Sequence, residues 1–490
     1  MGKTKKIMFK NQYLLTKKKI PMQKGTTKID IGEFNLYFDN EIEYYTTQKK
    51  NTQITLLGYI FHCYNSMSEQ KQIEYLLTLN NEELLNEIDK WCGHFVLFVG
   101  VKDIKIYTDA CASFKVFYGE KNNSKVIGSD PNIINNFFDF EEDTDADKLR
   151  FYQSTFFKKK STKIGHDTRF KNLYQLVSNH CLDIKSFKSV RVFPRKERIE
   201  LSEEIAGKKL IEIFNHLTFM IEKRHTIYSS LTAGYDSRLL MAATKKISKE
   251  VNYYTFKVPN KRKDFIDYTL PKKIASDLRL KYTFITIKEL AKDIKKNIIN
   301  SYDFPRIREF EQYHNIFPEN KKSNILLVGF VNEVAKNYLE SVKVKNGKDV
   351  VRAVHLPDSN YLEKYYQNWL NKNKNLISEL NYEVLDFIHW EQDITNFAGQ
   401  NIHYAHHYVR LFSIFNSREI LRIMLSVPTK KRDGKSPIFF RYLIKSMWPD
   451  LINYPFNPTI KEKSILFMKK IKIYPFYKYL QNKFQNFGKI

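Results

Sequence analysis

The stretch HTIYSSLTAGYDSRLLMAATKK, residues 225–246, constrains the fold more than any other part of the chain. Ile227 to Leu231 favour a strand, Thr232-Ala233-Gly234 are small and turn-forming, and apolar periodicity predicts a helix from about Ser237 onward. A strand VNYYTFKV, a helix DYTLPKKIASDLRL and a strand YTFITI follow. Such alternation predicts a parallel sheet with helices on both faces. Ahead of it, LSEEIAGKKLIEIFNHLTFMIEKR reads as a long amphipathic helix capped by Ser202.

The chain has only 16 glycines in 490 residues, so Thr-Ala-Gly at a strand-to-helix junction raises a chemical question. A helix entered this way presents unpaired N–H groups and the positive end of its dipole, an anion site suited to phosphate. Gly234 lets the backbone approach the anion, and Thr232 and Ser237 add hydroxyls. Asp236 is the odd member: a carboxylate beside phosphates repels them unless a cation sits between. The GxxxxGK[ST] loop is absent. A tight turn with a capping Asp remains the plainer alternative.

Residues 1 to about 140 read as β-rich, with strands in NLYFD, QITLLGYIFHCY, CGHFVLFVG and IKIYTDA. SEQKQIEYLLTLNNEELLNEIDKW between them has helical spacing, and together they suggest an α+β layered unit. FEEDTDADKLRFYQSTFFKKKSTK reads as a linker, and residues 360–490 as mostly helical. Cys63, Cys92, Cys111 and Cys181 lack CxxC spacing and read as core residues of a protein in the reducing cytoplasm. No apolar run is long enough to span a membrane, and the N-terminus reads as neither a signal peptide nor a myristoylation site. The formal net charge of +27 is spread along the chain without a recognised module, so no specific nucleic-acid role is expected. His403, His406 and His407 have helical spacing but no matching carboxylate, so aromatic packing or substrate hydrogen bonding is expected of them rather than metal ligation.

TAGYDS resembles the SGGxDS pyrophosphate loop of the asparagine synthetase-like amide ligases, with Gly234, Asp236 and Ser237 matching and Thr232 and Ala233 replacing Ser and Gly. DYTLPKKIASDL supplies the Asp267 of the family's next helix, with Pro271 where Ala is usual and then Ala275. LLVGFVNEVAKNYLE resembles the strand and loop carrying GxGxDE; Gly329 and Glu333 match, and Asn332 stands in place of the metal-binding Asp. Phe415-Asn416-Ser417-Arg418, Val427-Pro428, Gly434 and Arg441 resemble the C-terminal helical part of the ligase domain. LLGYIF, GHFVLFV and IYTDACASFKVFY resemble the glutaminase-type sandwich that precedes it. That domain works through a Cys at position 2, where this chain has Gly2, so it is expected not to cleave glutamine. The resemblance covers roughly residues 50–460. It implies a degenerate α+β glutaminase-like sandwich with linker over 1–195, then an α/β parallel-sheet nucleotide-binding ligase domain with a helical C-terminal part over 200–490.

What the resemblance implies for function is an AMP-forming carbon–nitrogen ligase. It adenylates a carboxylate with ATP, releases pyrophosphate and passes the acyl group to ammonia or an amine. Leu231, Thr232, Ala233, Gly234, Tyr235, Asp236, Ser237, Phe256 and Gly329 would hold ATP, and Asp236 and Glu333 the Mg2+. Pro437 stands where the family has its transition-state lysine, leaving Lys435 and Arg238 as candidate cations, with Glu333 a third candidate catalytic residue. A solvated loop lysine and a capping or surface carboxylate are the plain readings of Lys435 and Glu333. The implied partners are a small-molecule or sugar carboxylate and an ammonia or amine donor, with bacterial surface polysaccharide synthesis as the setting, and a second copy of the chain in a homodimer. The basic, aromatic tail after Ile460 is expected to pack on its own domain or to lie weakly on the inner membrane face. A tRNA-modifying ATP pyrophosphatase, a natural-product peptide cyclase and an inactive scaffold are the competing readings.

Overall fold

The computed structural model describes residues 10–161, 163–258, 262, 265–314, 316–317, 323–336, 344–434 and 437–458. Gly2, Lys435 and the basic tail lie outside the described residues.

The first half builds two six-stranded antiparallel sheets. Strand Trp91–Val99 lies inside one of them, with both faces buried. Its Val96 and Phe98 point into the core shared by both sheets, with Leu15, Leu36 and Phe38 of the facing sheet. Its Phe95 and Leu97 point outward under helices Glu69–Leu76 and Asn81–Asp89. Helix Pro131–Phe138 covers the outer face of the other sheet. This alternation, one residue in and the next out, is why the segment reads as a continuous apolar run. The expected single helical stretch between strands is two helices, because Asn80 starts a new one with a capping box on Glu83. The expected linker is also ordered, forming helices Ala146–Gln153 and Thr155–Lys160, whose Phe151 and Phe157 enter the main core. The cysteines are free and buried.

The second half carries the parallel sheet. Its strands, in chain order, are Thr226–Ser230, Asn252–Lys257, Tyr282–Thr286, Asn324–Leu327 and Arg410–Phe412. In space they lie third, second, first, fourth, fifth, all parallel. The chain winds outward from the first strand through helices Tyr235–Ala243 and Ile266–Asp277, then returns to begin again on its other side. Right-handed crossovers running in opposite directions place their helices on opposite faces. The fifth strand was not expected within a mostly helical region; it is three residues long at the sheet edge, too short to show alternation. Helix Glu203–Glu222, capped by Ser202 as predicted, packs its Leu210, Phe214, Leu217 and Ile221 into the same core. Among the described residues no helix is long and apolar enough to cross a membrane.

Candidate functional site

The reversal of strand order falls between the first and fourth parallel strands. Loops leaving the carboxyl ends of two such strands part to opposite faces and open a crevice, the usual ligand position in sheets of this kind. The Leu231–Gly234 loop leaves one strand and the Val328–Phe330 segment leaves the other. The Val328–Phe330 segment touches the first turn of the helix after the loop: a Cβ at Gly329 would lie 2.8 Å from the carbonyl carbon and oxygen of Asp236. That close approach leaves room for a glycine.

The loop is braced from within. The Ser237 hydroxyl accepts from Thr232 N–H at 3.0 Å and lies 2.8 Å from Thr232 Oγ1, which accepts from Gly234 N–H at 3.2 Å. Asp267, in the first turn of the next helix, accepts from Ala233 N–H at 2.8 Å. Leu231 is buried and ties the loop to the neighbouring strand, its N–H donating to Tyr254 O and its carbonyl accepting from Thr255 Oγ1. Phe256, on that strand, turns its ring toward Tyr313. Gly234 caps the helix with φ of −83° and no side-chain hydrogen bond. The first-turn N–H groups of Tyr235–Ala243 thus carry no side-chain cap, as an anion site needs.

A strap crosses this helix start. Phe456 stacks on Tyr235 with ring centroids 4.2 Å apart, and Asn457 N–H donates to Ala233 O. Arg238, expected as a candidate cation for phosphate, is fully buried instead. Its guanidinium donates to the carbonyls of Ala233, Tyr454 and Pro455 and lies 3.9 Å from the Phe456 ring centroid. Burial pulls its pKa down to about 10. It clamps the strap to the loop through the carbonyls of Ala233, Tyr454 and Pro455.

The cation that Asp236 demands is Lys336. Its ammonium forms an ion pair with Asp236 Oδ1 and lies 5.3 Å from the Phe440 ring centroid. Lys336 is 3% exposed. It follows Glu333 by three residues at the end of the short 3-10 turn Asn332–Ala335, so one turn presents both side chains to Asp236. Val331, which starts that turn, has φ of +76°, a strained value for a β-branched residue. Burial, and then the negative charge of Asp236, push the Glu333 carboxyl up to about 7 against the pull of Lys336. Glu333 Oε2 and both amide atoms of the fully buried Asn332 make no hydrogen bond among the described residues.

Asp236 and Glu333, expected to share Mg2+, do come together. The Lys336 ammonium pairs with one carboxylate, and burial together with the charge of Asp236 raises the pKa of the other. Among the described residues no group of three or more His, Cys, Asp or Glu side chains is placed to hold a metal. The FNSR turn does not join the site. Asn416 donates to Gly93 O and Asp109 Oδ1, and Arg418 to Thr108 O, joining the parallel-sheet half to the sandwich. His406 stacks on His94 at 3.7 Å and bonds Tyr59, and His403 packs against Tyr302, the aromatic role expected of them. Lys336 was missed by sequence reasoning, because no local pattern shows the 3-10 turn that brings it to Asp236.

No protein-family profile matches the chain, and no curated protein matches it. Solved structures overlap it loosely. The glutamine-dependent NAD+ synthetase from Acinetobacter baumannii, in complex with ADP, is 15% identical over 34% of this chain and 32% of that chain, with a TM-score of 0.22. The glutamine phosphoribosylpyrophosphate amidotransferase from B. subtilis, complexed with ADP and GMP, is 8% identical over 66% of this chain and 70% of that one, with a TM-score of 0.22. The glutamine-dependent NAD(+) synthetase from Cytophaga hutchinsonii is 14% identical over 44% and 43%, with a TM-score of 0.19. This chain thus spans about a third of the first of these proteins, and overlaps this loose identify no family.

Proposed function

We propose that the Leu231–Ser237 loop binds the polyphosphate of ATP and that the chain is an ATP-dependent amide-forming ligase of the asparagine synthetase-like kind. The observation that carries this reading is the position of the loop: an uncapped helix start at the strand-order reversal, with the buried Lys336 beside it. A carboxylate oxygen of the acceptor attacks the α-phosphorus, the bond to the bridging oxygen breaks, and pyrophosphate leaves. An amine nitrogen then attacks the acyl carbon, AMP leaves, and the nitrogen loses a proton. Pyrophosphate gathers charge as it departs, and fixed donors aimed at that charge lower the barrier most. In this chain those donors are the first-turn N–H groups and the Lys336 ammonium, which takes the part the family gives to magnesium and its loop lysine. Magnesium would enter with the nucleotide as part of the substrate.

The sandwich of the first half is read as a glutaminase-type domain without its nucleophile. Burial pushes the Cys63 thiol up to about 12, which disqualifies it as a substitute. The amine therefore comes from solution rather than from glutamine. The acceptor is read as a sugar or other small carboxylate. Incubation of the full chain with ATP, ammonium and a panel of carboxylates tests the assignment. The expected result is release of pyrophosphate and AMP with at least one acceptor; release of ADP and phosphate, or no turnover with any acceptor while ATP fails to bind, would overturn it.

A further inference from the structure

Three buried imidazoles meet where the two halves of the chain join. His94 stands on strand Trp91–Val99 of the sandwich, and His403 and His406 belong to helix Gln400–Ala405 and its C-cap in the second half. The rings of Phe114, His94 and His406 form one stack across the junction, with successive centroids 4.7 Å and 3.7 Å apart. His403 is fully buried beside Phe114, and neither of its ring nitrogens makes a hydrogen bond among the described residues. His94 Nδ1 lies 2.8 Å from Ser113 Oγ, whose hydroxyl donates to Asp109, so Nδ1 is the donor and carries the proton of the neutral ring. A second proton on His94 would go to Nε2, which has no hydrogen-bond partner among the described residues. His406 Nδ1 donates to Ile402 O at 2.8 Å, and its Nε2 lies 3.1 Å from the Tyr59 hydroxyl.

A positive charge placed here meets more of its own sign. Lys115 of the sandwich, Lys163 after helix Thr155–Lys160 and Arg410 of the last parallel strand face the rings, and His407 adjoins His403. The carboxylates on hand are already engaged. Asp109 accepts from the N–H groups of Cys111, Ser113 and Phe114 and from Asn416, and Glu43 pairs with Arg410. Asp39 accepts from the N–H groups of Asn11 and Glu41. With Lys10, Glu41 and Glu43 it lines a cavity of about 100 Å³ that reaches the stack at His94 and His406. Among the described residues no carboxylate lies within ion-pairing distance of the three rings; the ion-paired histidines are His62, His166 and His389. Burial first, and then the neighbouring imidazoles and cations, hold all three well below the ordinary histidine value of 6.5. We propose that this cluster is an acid-sensitive latch: it joins the two halves only while its imidazoles are neutral, and proton uptake opens the junction. The latch stands whether or not the Leu231–Ser237 loop binds ATP.

The unfolded chain takes up each of these protons near 6.5 and the folded chain does not. The latch is therefore at full strength above that pH and weakens below it, the unfolding constant rising about tenfold per pH unit for each imidazole. Urea unfolding of the full chain from about pH 8 to about pH 5.5 tests this on wild type, His403→Leu and His94→Asn. Leucine is close to histidine in volume and takes a place where no ring nitrogen is hydrogen-bonded, so His403→Leu folds. Groups that titrate alike in variant and wild type cancel from the ratio of their unfolding constants. For each variant the expected ratio to wild type is constant above about pH 6.5 and falls about tenfold per pH unit below it. A ratio constant over the whole range in both variants would overturn the proposal. In the folded wild type, the NMR ring signals of the three histidines should not shift down to about pH 5.5. Ordinary titration of all three near 6.5 would equally overturn it.

Discussion

Lys336 shows how one side chain settles what a motif leaves open. Asp236 at a helix N-terminus is favoured by the dipole but repels phosphate. An ammonium within ion-pairing distance balances its charge. Lys336→Met should cost about 1–3 kcal/mol of stability, because Asp236 is left partly buried and unpaired. Adding Asp236→Asn should restore much of the loss, a coupling that denaturant unfolding of the two single variants and the double variant measures. Gly329→Ala should destabilise by about 1–3 kcal/mol, since its methyl meets the Asp236 backbone in the first turn of helix Tyr235–Ala243. The pairing of Lys336 with Asp236 was not legible in the sequence. The strand-to-helix turn was, because Ile227 to Leu231 favour a strand and Thr232, Ala233 and Gly234 a turn. The partner of Asp236 comes from about a hundred positions away and depends on a 3-10 turn that no local pattern announces.

Elements were legible where burial imposes a period. Strand Trp91–Val99 and helix Glu203–Glu222 follow from their patterns, whereas the π-helix His389–Gly399 does not, because its widened turns are held by tertiary contacts. One such contact is Lys115, fully buried in the sandwich, whose ammonium donates to Thr395 O of the π-helix at 2.6 Å. Burial pulls its pKa from 10.5 down to about 7. Its folded state therefore holds fewer protons than its unfolded state between those values, so the Lys115 contribution to stability rises as pH rises through that window. Lys115→Met should flatten that rise and make the protein more stable than wild type below it, provided the lost hydrogen bond is the smaller term. Urea midpoints of both proteins across the window check this. Phe456→Ala should loosen the strap over the helix start, lowering stability by about 1–3 kcal/mol and releasing the Arg238 clamp.

At the scale of the molecule, the division at residues 195–200 expected from sequence is crossed by buried polar contacts. Asp109 is fully buried and accepts from Ser113, Phe114 and Asn416, while Trp390 Nε1 donates to Ala110 O at 2.7 Å. We expect a single cooperative unfolding transition, and Asp109→Ala should cost more than about 3 kcal/mol by orphaning several buried donors at once. Two separated transitions by calorimetry would show that the halves fold independently. The account rests on the loop at the strand-order reversal holding the phosphates of ATP with Lys336 as its cation, and titration of ATP into the full chain and into Lys336→Met tests this most directly. The account predicts that the wild type binds ATP and that the variant, still folded by circular dichroism, binds it at least about tenfold more weakly. Equal affinity in the two proteins, or no binding by the wild type, would contradict it.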